Sequence, residues 1–224
     1  MKELIINTGE ILHEVYVVGD PETSGKELPG RVVLGKDARA VLVFVVPSGV
    51  SCDMKIDVEL TGEGAQAELY GAYVCGASEK VAMAVDMHHK VPHCYSRQLF
   101  KGIAGGSSRV DFYGKIIVAQ DAQRTEAYQE NHNLLLSDLA KVDTKPQLEI
   151  YADDVKCSHG ATIGRLNEEE QFYMRSRGIS LEDAKVLQMI SFIAPVFENI
   201  HDEAQREALA SELESDIRNL IRNM

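Results

Sequence analysis

The sequence predicts a mainly β fold closed by a helical C-terminal segment. Three observations carry that class. Apolar residues recur with a period of two through several short segments. Gly- and Asn-containing turns punctuate them. From about Asn167 the apolar spacing changes to three and four. No convincing helix interrupts residues 1 to about 164, which disfavours a wound parallel sheet with helical crossovers. A sandwich, a barrel or a β-solenoid remains. The chain is therefore divided into residues 1–164 and residues 165–224.

Val41 to Val46 is an apolar run of strand length and reads as a buried strand. Met54, Ile56, Val58 and Leu60 alternate with polar neighbours, as a half-buried strand requires. Val81, Met83, Val85 and Met87 repeat the pattern. So do Val110 and Phe112, then Ile116 and Val118 after Gly114. Leu134–Leu136 and Leu148–Ile150 add two short runs. Turns are expected at Gly62 and Gly64, at Gly105 and Gly106, across Asn131 to Asn133, and at Lys145–Pro146 ahead of a strand. No fixed period is visible, so repeats alone do not establish a solenoid. Gln120, Gln123, Gln129, Asn131 and Asn133 sit among the strands. They suit either amide ladders in stacked parallel coils or plain surface loops.

The helical part opens at Asn167, an N-cap followed by Glu168, Glu169 and Glu170 in the first turn, where acids favour the helix dipole. Gly178 stops this helix, with Arg175 and Arg177 in its last turn. Ser180 and Asp183 open a second helix in the manner of a capping box, and Pro195 should kink or split it. Asp202 caps a third. Its Ala204, Ala208, Leu209, Leu213, Ile217, Leu220 and Ile221 form one stripe that must cover another surface.

Across 224 residues, 45% hydrophobic and 26% charged, there is ample material for a core, which excludes a wholly disordered chain. Thirty-five acids against 23 bases give a formal charge of −12. That balance argues against a general nucleic-acid binder and against an anionic-membrane binder. Residues 168–224 hold 12 acids and 6 bases, which reads as solvated helix faces or as a surface for a basic partner. The start, MKELIINTGE, is too short in apolar residues for a signal peptide, and no run is long enough to span a membrane. Cys52, Cys75, Cys94 and Cys157 are far apart with no C-x-x-C, so a disulfide framework is not expected. Cytoplasmic and reduced is the compartment these features imply.

Dinucleotide, P-loop, nucleophile-elbow and zincin motifs are absent. Two histidine groups remain. His88, His89, His93 and Cys94 offer ligands that suit zinc, iron or copper. Their spacing around Pro92 matches no compact metal motif, and adjacent strand residues face opposite ways. They read as surface or structural histidines, or, in the sharper alternative, as ligands of a metal-dependent enzyme. In the second group, Val155, Cys157, His159, Ala161 and Ile163 share one strand face, apolar apart from the imidazole. That face should be buried, in the core or against another subunit. Such a histidine needs a hydrogen-bond partner, a metal or a second protein.

The run from Phe112 to Gly164, FYGKIIVAQDAQRTEAYQENHNLLLSDLAKVDTKPQLEIYADDVKCSHGATIG, followed by EQFYMRSRGIS, resembles the SufB/SufD family and is closer to its SufD branch. The resemblance extends to about Ile200, and Val41 to Asp111 fits the family's more variable strands. It implies a right-handed parallel β-helix followed by a C-terminal helical segment. It also implies a non-catalytic iron–sulfur cluster assembly scaffold. Such a subunit works with a SufB-like subunit and a SufC-like ABC ATPase in a cytosolic complex, and clusters pass from the complex to apoproteins.

Residue by residue, the resemblance makes His159 a transient cluster ligand at the subunit interface, opposite a SufB cysteine, with Cys157 beside it. It makes about 168–200 the ATPase-docking segment, including Phe172, Tyr173, Arg175, Arg177 and Gly178. Thiolate and, less often, imidazole ligate such clusters, and incomplete ligation shared by two chains suits a cluster that must leave. NHNLLLSDL lacks the SufB-type cysteine, so no cluster is expected in the isolated chain. Longer members carry an N-terminal helical domain, whereas strand-like sequence here begins almost at residue 1. The resemblance thus implies a shortened relative or a fragment. A homodimer through the same edge is a further expectation. The competing class is an enzyme on a β-solenoid, metal-dependent or acting on carbohydrate or acyl groups. Hexapeptide repeats are not visible and the chain has no Trp, which weighs against it.

Overall fold

The computed structural model describes residues 2–19 and 26–222, so Met1 and Met224, the ends of the two expected units, lie outside the described residues. Twelve described strands precede three described helices. The strands are β1 (Lys2–Ile6), β2 (Ile11–Val17), β3 (Pro29–Leu34), β4 (Arg39–Val46), β5 (Cys52–Leu60), β6 (Gln66–Cys75), β7 (Lys80–His89), β8 (Tyr95–Ala104), β9 (Arg109–Val118), β10 (Thr125–Leu135), β11 (Lys141–Ile150) and β12 (Val155–Gly164). The helices are α1 (Glu168–Ser176), α2 (Leu181–Phe197) and α3 (Glu203–Arg222).

Odd-numbered strands form one six-stranded sheet and even-numbered strands form the other, each in sequence order. Neighbouring strands within each sheet are parallel. The chain thus steps between two sheets and climbs one rung for every two strands, which is a parallel β-helix. Register explains why no period is visible in the sequence. Arg31 lies beside Asp57, 26 residues on, whereas Arg109 lies beside Lys141, 32 residues on. Turns of unequal length absorb the difference.

The inner faces enclose one core, with Tyr16, Phe44, Phe100, Phe112, Leu42 and Ile56 buried in it. A second core lies on the outer face of the even-strand sheet. There Val41, Val43, Val45, Tyr70, Val74 and Ile103 meet Val186, Met189, Ile193, Leu213, Ile217 and Leu220 of α2 and α3. Leu220 sits against Gly76 and Gly105, where the turns leave room for it. Asp216 accepts from the Ser48 backbone N–H at 2.9 Å, and Arg218 reaches Asp183 at 3.0 Å. No described helix is long and apolar enough to cross a membrane.

Caps follow the sequence. Asn167 accepts from the N–H groups of Glu169 and Glu170, Ser180 from that of Asp183, and Asp202 from that of Gln205. Gly178 takes φ +90° after α1, but Arg177 stands past the last turn as the C-cap.

Several expectations are corrected. Asn131 to Asn133 is no turn: it lies inside β10, with both asparagines buried. Of the two readings of the amides, the ladder-like one holds for Gln129, Asn131 and Asn133. Gln123 sits in a turn, donating to Gln120 O at 2.8 Å. Lys145–Pro146 lies inside β11 rather than ahead of it, which is tolerated because β11 is the last strand of its sheet. Pro195 does not split α2, since the helix runs unbroken to Phe197 and the ring falls in the final turn. Ala204 and Ala208 are exposed, so the buried stripe of α3 begins at Leu209.

Candidate functional site

The far end of the β-helix is built by β10 and β12, paired in register from Thr125 beside Val155 to Leu134 beside Gly164. Strand alternation puts Val155, Cys157, His159, Ala161 and Ile163 on the inner face, in line with Thr125, Ala127, Gln129, Asn131 and Asn133 one rung below. The lower residues are all buried, because β12 covers them. Within the chain the expected burial of the upper row holds only at its start. Val155 and Cys157 pack partly against the core, whereas His159, Ala161 and Ile163 are exposed. The reason is topological: β12 is the end strand of its sheet, and no described strand lies above it.

Cys157 and His159 are therefore on one face, two residues apart, with the imidazole at the open end. Burial pushes the Cys157 thiol upward, partly offset by a hydrogen bond from the Ala127 backbone. Below them runs a polar interior. Gln129 Nε2 donates to Gln98 Oε1 at 2.9 Å. Tyr73 donates to Asn133 Oδ1 at 2.5 Å and receives from Asn131 Nδ2 at 3.3 Å, while Asn133 Nδ2 donates to Asn131 Oδ1 at 2.8 Å. Burial raises the Tyr73 phenol strongly.

The outer face of the same strands carries a hydrogen-bonded line that sequence reasoning missed. His132 Nδ1 lies 2.8 Å from Thr162 Oγ1, and its Nε2 lies 3.1 Å from Glu130 Oε2. The i, i+2 spacing of Glu130 and His132 was the available signal, hidden by reading Asn131 to Asn133 as a turn.

The residues of the expected docking segment come together on α1 and just past it. Phe172 and Tyr173 are 73% and 61% exposed, which is unusual for rings of this size. Arg177 stacks over the Tyr173 ring at 5.4 Å, and Arg175 and Gly178 are also exposed. Beside them a groove of about 840 Å³ runs between α1, α2 and the end of β10, lined by Leu134, Leu166, Tyr173, Met174, Leu187 and Phe192 among others.

The first histidine group is dispersed. His88 faces outward, 3.3 Å from Asp57. His89 faces inward, buried, with Nε2 2.8 Å from Ser96 Oγ. His93 sits in a turn at φ +60°, 3.9 Å from Glu63. The Cys94 thiol is buried and pushed up to about 11 by that burial. Among the described residues no three His, Cys, Asp or Glu side chains are grouped to hold a metal ion.

The family model described as SUF system FeS cluster assembly, SufBD core domain, matches residues 29–192. The iron-sulfur cluster assembly protein SufD of Escherichia coli is 38% identical over 182 residues, covering 81% of this chain and 43% of that protein. An iron-sulfur cluster assembly SufBD family protein of Mycobacterium tuberculosis is 32% identical over 223 residues, covering 96% of this chain and 56% of its own length. Another from Synechocystis is 47% identical over 109 residues, 49% of this chain and 24% of that protein. The chain thus spans about half, or less, of the length of these relatives. The match across the β-helix and into α2 shows that this chain belongs to the SufB/SufD family.

Proposed function

We propose that the chain is a SufD-like scaffold subunit for iron–sulfur cluster assembly, acting in the cytosol without catalytic chemistry of its own. One observation carries the reading: Cys157 and His159 lie on the inner face of an end strand, with the imidazole in solvent. An end strand presents unpaired backbone groups and invites another chain to continue the sheet. A SufB-like subunit joined there would set its own thiolate against His159, and the nascent cluster, the cargo of the complex, would be shared between the two chains. Imidazole is a competent but uncommon ligand, which suits a cluster that must be released to apoproteins.

Residues 1–164 form the scaffold in this reading and 165–224 the docking segment for a SufC-like ABC ATPase. The exposed Phe172 and Tyr173, flanked by Arg175, Arg177 and Gly178, support that placement. Movement of the helices by the ATPase would open the seam. A second copy of this chain fits the same edge by the same backbone argument.

Anaerobic co-expression with SufB-like and SufC-like chains tests the proposal. The complex should purify with the visible absorbance of a cluster. His159→Ala should lose that absorbance while the complex remains assembled. Undiminished cluster in that variant would remove His159 from the site, and a chain ignoring both partners would overturn the whole reading.

A further inference from the structure

We infer that Gln129 is the positioning residue for His159, turning the imidazole so that one ring nitrogen is free for the cluster. The inference rests on the reading of His159 as a ligand at a subunit seam.

In the ladder Gln129 stands directly beside His159 on one side and Gln98 on the other, all three on the inner face. Gln129 is 1% exposed and Gln98 is fully buried. The amide row is half complete. Gln129 Nε2 spends one proton on Gln98 Oε1, but Gln129 Oε1 is buried and has no hydrogen-bond partner among the described residues. Gln98 Nε2 is likewise buried without a partner among the described residues, so the pair keeps one open donor, on Gln98, and one open acceptor, on Gln129, the amide next to His159. Buried acceptors are normally satisfied, and the one on Gln129 points to a donor from the rung above.

Gln129 is also held in place. Across the interior stands Gly114, where a Cβ would come within 2.3 Å of Gln129 Nε2. The glycine makes room for the amide, which lies wholly inside the β-helix. The residue next in register above the amide is His159, whose side chain carries a ring N–H.

When a partner chain covers the open end, His159 has the inner face to turn toward. A neutral imidazole that donates its N–H to Gln129 Oε1 keeps its lone pair on the other nitrogen, directed away from the amide and toward the seam. Ligand histidines are commonly oriented this way, by an acceptor on their second nitrogen. In the isolated chain the imidazole is exposed and this bond is not made, so the orientation would appear only on assembly.

The test uses the complex with the SufB-like and SufC-like chains, charged with iron(II) and sulfide. Gln129→Met keeps the length and removes the acceptor; Gln129→Glu keeps an acceptor. Cluster yield should fall about tenfold or more in Gln129→Met and stay within about threefold of the parent in Gln129→Glu. Nitrogen NMR of the His159 ring should report a single tautomer in the unsubstituted complex and an averaged one in the isolated chain. That measurement stands even where Gln129→Met does not fold. An averaged ring in the complex would overturn the inference, as would full yield from Gln129→Met when His159→Ala has lost it. Full yield from His159→Ala would instead overturn the reading beneath it.

Discussion

The two sheets are built from the same kind of strand and differ in what covers their outer faces. The odd-strand sheet turns its outer face to solvent, so β5, β7 and β9 alternate cleanly between buried and open positions. The even-strand sheet is covered by α2 and α3, and its strands are buried on both faces over long stretches: β4 from Ala40 to Val46, β6 from Leu69 to Cys75. Alternation is a record of one-sided burial. A strand between two cores loses it, although its backbone is no different.

The inner faces should separate the sheets most sharply. In the covered sheet, a Cβ at Gly102 would lie 1.6 Å from the Tyr73 ring, whose hydroxyl is anchored on Asn133. In the open sheet, a Cβ at Gly114 meets only the end of Gln129. Gly102→Ala should cost at least about 3 kcal/mol, the upper end of overpacking effects, and Gly114→Ala less. Urea unfolding of the two variants would decide it, and equal costs would show that the Tyr73 network yields.

Between the sheets, His89 of the open one bonds Ser96 of the covered one. Burial, with a smaller contribution from His88, holds His89 down at about 4 against an ordinary 6.5. The unfolded chain takes up this proton below about 6.5 and the folded chain only near 4. Stability is therefore full above pH 6.5 and drains as the pH falls toward 4, by on the order of 3 kcal/mol at most. His89→Gln should flatten that part of the profile in denaturant midpoints measured against pH. An unchanged slope would assign the loss to carboxylates.

The smallest contrast uses one substitution twice on the outer faces. Val74 is fully buried beneath the helices, and Val33 is half-buried on the open side. Val74→Thr places a hydroxyl in the second core and should cost about 1–3 kcal/mol, whereas Val33→Thr should cost under about 0.5. Similar values would mean that the helices leave water above Val74.

The same contrast explains what was legible. Met54, Val81 and Val110 announced their strands because each stands in a row with solvent on its far side. β6 and β8 carry no such signal, because QAELYGAYVC and YSRQLFKGIA have apolar residues on both faces. Asn131 and Asn133 misled for the reverse reason. Polar side chains in a core look like turn residues until the network from Tyr73 that satisfies them is seen. At the site, sharing of a face by Cys157 and His159 was legible from their spacing alone. The partial exposure of that face was not, since it depends on β12 being an end strand.

What the sequence determined by itself was local: period-two strands on the open sheet, the caps at Asn167, Ser180 and Asp202, the apolar stripe of α3, and a motif carried by neighbouring residues. Those features depend on residues within a turn or two of one another. Tertiary structure alone decided that odd and even strands stack into separate sheets, that Gln129 lies under His159, and that the imidazole faces solvent. Those relations join residues about 30 positions apart through turns of unequal length, and no local pattern marks which rung a strand will meet.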